Sequence, residues 1–236
     1  MLRRLFLGLL VLSLIACGGD DDSADSINVF AASSLTDAFT ALGEQFEAAN
    51  PGSEIEFNFG SSSDLVTQID EGAPVDVFAS ADEANMQKVA DESVVFARNR
   101  LAIAVEPGNP LGIEGLEDLA NADVKVVLCA SEAPCGKYAD QILESAGVEV
   151  TPVSREANVR DTLGKIGEAD AAIVYVTDVR ANDAIEAIEI PDDQNVITTL
   201  PMVALDDSEI ADAFVDYVTS ADGQAILTED FGFLAP

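Results

Sequence analysis

The chain has 236 residues, 48% of them hydrophobic, with 44 acidic against 11 basic side chains and neither His nor Trp. A net charge of −33 argues against nucleic acid and anionic membrane surfaces as partners. The missing His removes the commonest general base and the commonest metal ligand, and the length suits one large or two small domains.

Arg3 and Arg4 precede an apolar run of 12 residues, Leu5 to Ala16, too short to span a bilayer comfortably. The run ends in Leu14-Ile15-Ala16-Cys17, which resembles a bacterial lipobox. Residues 1–16 therefore read as a signal peptide and Cys17 as the lipidation site, with an ordinary secretory signal as the alternative. Several acyl chains on one Cys would anchor the protein stably to a membrane. Residues 17–26, with Asp20, Asp21, Asp22 and Asp25, read as a polar, self-repelling tether. Without Arg3 and Arg4, 9 basic residues face 44 acidic ones, a net charge of −35.

From Ile27 onward, short apolar runs alternate with amphipathic ones, the signature of an α/β fold. Strands are expected at Ile27–Ala32, Glu54–Phe59, Val75–Ala79, Arg100–Val105, Val124–Cys129, Ala171–Val176 and Val196–Leu205. Leu35–Ala49 places Leu35, Ala38, Phe39, Leu42 and Phe46 on one helical face, and Asn50-Pro51-Gly52 stops it. Further helices are expected at Asp64–Asp70, Glu83–Ala90, Lys137–Ser145, Val159–Glu168 and Asp207–Thr219. Glu106-Pro107-Gly108-Asn109-Pro110 is the strongest internal breaker. It predicts one lobe from residues 27–105 plus 206–236 and a second from 106–205, with a ligand cleft at the hinge between them.

Five stretches combine small residues with hydroxyls or bare backbone at expected helix starts. They are Ala31–Thr36, Gly60–Asp64, Ala133–Gly136, Ala157–Arg160 and Val174–Asp178. A helix N-terminus leaves unpaired N–H groups and about half a positive charge. Several such ends aimed at one point would hold a small oxyanion with neutral donors alone. Distant carboxylates are screened over a Debye length of about 8 Å, so local N–H groups should prevail once the anion arrives. Each motif also has a plainer reading: Ser34 and Ser62 as helix caps, Tyr175 as a core aromatic. Lys137 and Arg160 stand beside the motifs and read as partners for the many carboxylates.

Cys129 lies six positions before Cys135, and an exported chain meets an oxidising compartment. A disulfide between them is expected, fixing the loop that presents the Cys135 N–H. Cys135 as a nucleophile would lack a His to activate it. A serine hydrolase built on the Ser62 turn would lack both His and a G-x-S-x-G elbow. A surface adhesin or structural lipoprotein is the remaining alternative.

Val29–Ala38, Phe59–Ser63, Gly72–Asp82, Asn158-Val159-Arg160 and Ala172–Tyr175 occur in this order. Together they resemble the molybdate-binding component of molybdate ABC transporters, over essentially the whole chain from Ile27 to Phe233. The resemblance implies a two-lobed periplasmic-binding-protein type II fold, each lobe a mixed sheet flanked by helices. It implies no catalysis, no cofactor, and no metal held by direct cation ligands, since molybdenum is bound as the oxyanion. The implied ligand set is Ser34, Ser62, the N–H groups of Cys135 and Val159, and Tyr175. Cys135 stands where many members have Ala, and Ser33 where another Ala is usual. The implied partners are molybdate, with tungstate, and a membrane permease, for a monomer on the outer face of the membrane. Sulfate or phosphate is the runner-up ligand.

Overall fold

The computed structural model describes residues 25–236; the expected leader 1–16, Cys17 and the tether up to residue 24 lie outside the described residues. Among the described residues nine strands and eight α-helices alternate. The first half carries β1 (Asp25–Ala32), α1 (Thr36–Ala49), β2 (Ser53–Gly60), α2 (Ser62–Asp70), β3 (Val77–Ala79), α3 (Glu83–Val89) and β4 (Val94–Val105). The second carries β5 (Val126–Cys129), α4 (Pro134–Ala146), β6 (Ser154–Glu156), α5 (Val159–Leu163), β7 (Ala171–Tyr175), α6 (Val176–Arg180) and β8 (Glu186–Glu189). Finally, β9 (Ile197–Ala204), α7 (Glu209–Thr219) and α8 (Ala221–Ala225) bring the chain back.

The strands run in the order β2-β1-β3-β9-β4-β7-β5-β6, with β8 on β4. Pairings β1–β2, β1–β3, β5–β6 and β5–β7 are parallel, and all those of β4 and β9 are antiparallel. Parallel neighbours need a crossover, and helices supply it here, covering strands that are apolar throughout such as Val126–Cys129 and Ala171–Tyr175.

Among the described residues two large apolar cores form, with a smaller cluster of Phe30, Leu65, Val66, Phe78 and Met86 under α2 and α3. One gathers Ile27, Val29, Leu35, Phe39, Leu42 and Phe46 with Phe96, Leu200, Met202 and Phe214. Phe39 sits at its centre, edge-on to Phe57, Phe96 and Phe214 with ring centroids 5.5–6.4 Å apart, an arrangement that suits the aromatic quadrupole. The other core gathers Leu101, Ile103, Val105, Val127, Leu128, Ile142, Leu163 and Ile173.

Strand β4 joins the two cores. Its first half pairs with β9 and its second with β7 and β8, and the chain changes core between Ala97 and Leu101. The breaker at Glu106–Pro110 was expected to mark that crossing; it marks only the end of the strand. Residues 101–105 already pack into the second core, because strand pairing rather than turn chemistry sets the crossing. The return runs through β9, and just before it Asn195 brackets Leu101: its Oδ1 accepts from Leu101 N–H at 3.1 Å and its Nδ2 donates to Leu101 O at 2.8 Å. Buried Asn99 donates to Thr177 Oγ1 at 2.8 Å, fixing β4 to α6 at the same place.

Candidate functional site

Each pocket-facing element repeats one local grammar: a strand ends, small residues turn the chain, and a helix begins. In open α/β sheets ligands bind beyond the carboxyl ends of strands. Here the ends of β1, β2, β5, β6 and β7 converge. Their turns line one cavity with Ala32, Ser33, Ser34, Gly60, Ser61, Ser62, Ala81, Ala133, Pro134, Cys135, Asn158, Val159 and Tyr175. All five residues proposed from sequence, Ser34, Ser62, Cys135, Val159 and Tyr175, are brought together, and Ser33 joins them. The atom-free space is about 200 Å³, which suits a small compact ligand.

The serines are held differently from the capping roles considered above. Neither Ser34 nor Ser61 makes a side-chain cap: a short 3-10 turn, Ser33–Leu35, leads into α1, and Ser61 Oγ lies 2.8 Å from Ser63 Oγ. Ser62 Oγ accepts from Ala81 N–H at 3.0 Å, with both residues buried. A hydroxyl that accepts in this way keeps its own proton for a second partner. Sequence reading missed Ala81, because nothing local shows that the β3–α3 turn folds against the start of α2.

Backbone donors come from α4 and α5. Pro134 occupies the first turn of α4 and has no N–H, so Cys135 supplies the first free amide of that helix. Cys135 is bonded to Cys129, which removes its thiol from consideration and leaves the amide. Thr162 Oγ1 lies 3.3 Å from Cys129 Sγ and buttresses the bridge. Gly136 makes room for the carbonyl of Ala130: a Cβ at this position would collide with it and would lie 2.7 Å from the carbonyl oxygen of Cys129. The glycine lets α4 start hard against the end of β5. In α5, Asn158 Oδ1 accepts from Asp161 N–H at 3.1 Å, an N-cap that leaves the Val159 amide without a partner in its own helix.

Tyr175 contributes the most telling atom. Its hydroxyl is buried and has no protein partner among the described residues. Burial, then the neighbouring Tyr138, Asp178 and Asp82, push its pKa well above 10, so the phenol is a fixed donor. A buried donor left unpaired costs about 1–3 kcal/mol, a cost that an acceptor entering the pocket would remove. Its amide donates to Asp178 Oδ2 at 3.0 Å. Burial pushes Asp178 up to about 7, against the lowering effect of that bond and of Arg160.

Neither cation beside the pocket is free. Lys137 Nζ lies 3.1 Å from Asp82 Oδ2, while Asp82 Oδ1 caps α3 by accepting from Asn85 N–H at 2.9 Å. Arg160 lies 2.6 Å from Asp37 Oδ1. The lining is thus hydroxyl, amide and phenol, and its chemistry is donation to an acceptor-rich ligand. Among the described residues no cluster of His, Cys, Asp or Glu could hold a metal ion.

Comparison with known proteins agrees with this architecture. Residues 27–234 match the model of the bacterial extracellular solute-binding protein family. Molybdate-binding protein ModA of Mycobacterium tuberculosis (strain H37Rv) is 39% identical, over 97% of this chain and 95% of that protein. A substrate-binding domain of a putative molybdenum ABC transporter from Clostridium difficile is 27% identical, with TM-score 0.65, covering 89% of this chain and 99% of that one. The periplasmic molybdate-binding protein of Azotobacter vinelandii shares the fold at TM-score 0.74 and 20% identity, covering 89% and 99%. The mixed sheets with flanking helices are those of the periplasmic-binding-protein type II fold. The chain belongs to the bacterial extracellular solute-binding protein family.

Proposed function

We propose that this protein captures molybdate, and tungstate with it, outside the cytoplasm and delivers it to the membrane permease of an ABC importer. The observation that carries the reading is the donor set: Ser34, Ser62, the amides of Cys135 and Val159, and Tyr175 line one small pocket whose neighbouring cations are already paired. A tetrahedral dianion offers an acceptor to each of them. Molybdate and sulfate share charge and shape, but sulfate has shorter bonds to oxygen. A ring of donors fitted to the larger anion leaves sulfate with stretched hydrogen bonds, which weaken steeply with poor geometry.

The reading is of binding without catalysis. Ser62 is bonded to an amide rather than to a base, and the chain contains no His. The two cores, 27–97 with 200–233 and 101–190, would act as lobes that close on the anion and present a joint surface to the permease. Cys17 would carry the lipid that keeps the monomer at the membrane.

A thermal-shift screen of oxyanions on the purified protein tests the assignment. A ligand at 100 times its dissociation constant adds about 2.7 kcal/mol of stability. Molybdate and tungstate are expected to raise the Tm at micromolar concentrations, with sulfate and phosphate trailing. A larger shift with sulfate or phosphate would move the assignment to that anion, and no shift with any oxyanion would reject it.

A further inference from the structure

We propose that Asp37 and Arg160 form a brace across the cleft that holds the pocket shut and keeps the guanidinium off the ligand. The inference rests on the oxyanion reading above and deepens it, because the sequence places a cation directly beside a residue assigned to the anion. Arg160 follows Val159 at the start of α5, which packs on the core of residues 101–190 through Val159 and Leu163. Asp37 lies three residues after Ser34, in the first turn of α1, which packs on the other core through Ala38 and Phe39. The 2.6 Å contact between them therefore ties together two elements that face the pocket from different cores.

Arg160 also has reason to stay there. Asp178, buried at the start of α6, is close enough for the Arg160 charge to act on it. Turning toward the ligand would leave Asp37 unpaired and withdraw the positive charge that favours ionisation of the buried Asp178 carboxyl. The side chains are 34% and 40% exposed, so the pair has the modest strength of a partly solvated bridge. Its effect should be a tuning of ligand retention rather than a condition for binding.

The test is a double-mutant cycle in the purified protein with Arg160→Gln, Asp37→Asn and the pair combined, titrated with molybdate. Release rates are followed by tyrosine fluorescence, and circular dichroism confirms folding. Each single change is expected to weaken binding about two- to fivefold, mainly through faster release. The double variant should be no weaker than the worse single one, because both remove the same contact. If Arg160 instead touches the anion, Arg160→Gln will lose far more affinity while Asp37→Asn binds as tightly as wild type or tighter, and the brace is overturned. It is equally overturned if neither single change alters retention or if their effects simply add. Failure of the parent reading is visible beforehand, as absence of molybdate binding by the wild type; the same cycle is then run with whichever oxyanion the wild type does bind.

Discussion

Ser34 and Ser62 line the same pocket, yet the structure gives only one of them a second duty. If each hydroxyl donates to the dianion, Ser34→Ala and Ser62→Ala each remove a hydrogen bond to a charged acceptor, about 1.5–3 kcal/mol. Titration with molybdate should therefore show a tenfold to hundredfold loss in either variant. Denaturation of the ligand-free protein should separate them. Ser62→Ala also strands the buried Ala81 amide and should cost about 1–3 kcal/mol, whereas Ser34, which caps nothing, should cost little. Equal stability losses would contradict this division.

Asp178 gives the residue scale a pH signature. Its carboxyl, raised to about 7 chiefly by burial, holds a proton in the folded chain that the unfolded chain releases near pH 4. Between about pH 4 and 7 the folded state binds more protons, so this group makes stability fall as pH rises, by at most about 1.4 kcal/mol per pH unit. Asp178→Asn keeps an oxygen for the Tyr175 amide and removes the charge. It should be more stable than wild type at pH 8, with the gap closing toward pH 4, as read from denaturation midpoints at both. A constant gap would place the effect elsewhere. The stretches that line the pocket were legible in the sequence because hydroxyls and small residues at helix starts are local signals, while the choice of one residue in each came from the family resemblance. The contacts of Ala81 with Ser62, Asp37 with Arg160 and Asp82 with Lys137 were not, since each joins elements distant in the chain.

At the scale of elements, legibility followed length and hydrophobic pattern. Helix α1, with its apolar stripe, and the apolar strands β1, β5 and β7 were expected within two residues of their observed bounds. The expected helix Val159–Glu168 ends at Leu163, where Gly164 closes it and Gly167 adopts a positive φ of 101°. The strands β6, Ser-Arg-Glu, and β8, Glu-Ala-Ile-Glu, were not expected. They carry no apolar alternation and exist because β5 and β4 offer them an edge. Helix α6 was expected only as a start within Val174–Asp178, without bounds of its own, because its five residues make little more than one turn. The Cys129–Cys135 bridge fastens the end of β5 to the first turn of α4. It closes too short a loop to add much entropic stability. Its reduction should weaken molybdate binding modestly, by shifting the Cys135 amide, while the chain stays folded. Titration with and without reductant, monitored by circular dichroism, checks this, and unchanged affinity after complete reduction would deny the bridge a positioning role. Gly136→Ala should mimic and exceed that loss, because its Cβ would press on the backbone of residues 129 and 130.

For the molecule as a whole, the α/β class was readable in the alternation of patterns. The crossing point was not, because pairing along the continuous β4 decides it and no composition change marks Ala97 to Leu101. At the membrane, Cys17→Ser is expected to release the protein into the soluble fraction with ligand binding intact; a variant that stays on membranes after a high-salt wash would contradict lipid anchoring. The central claim, that a highly acidic chain holds a molybdate dianion with neutral donors fitted to its size, is met most directly by isothermal titration of the purified protein with molybdate and sulfate in the same buffer. The account predicts one molybdate per chain and much weaker sulfate binding. Sulfate bound as tightly as molybdate, or no heat and no saturation with molybdate, would contradict it.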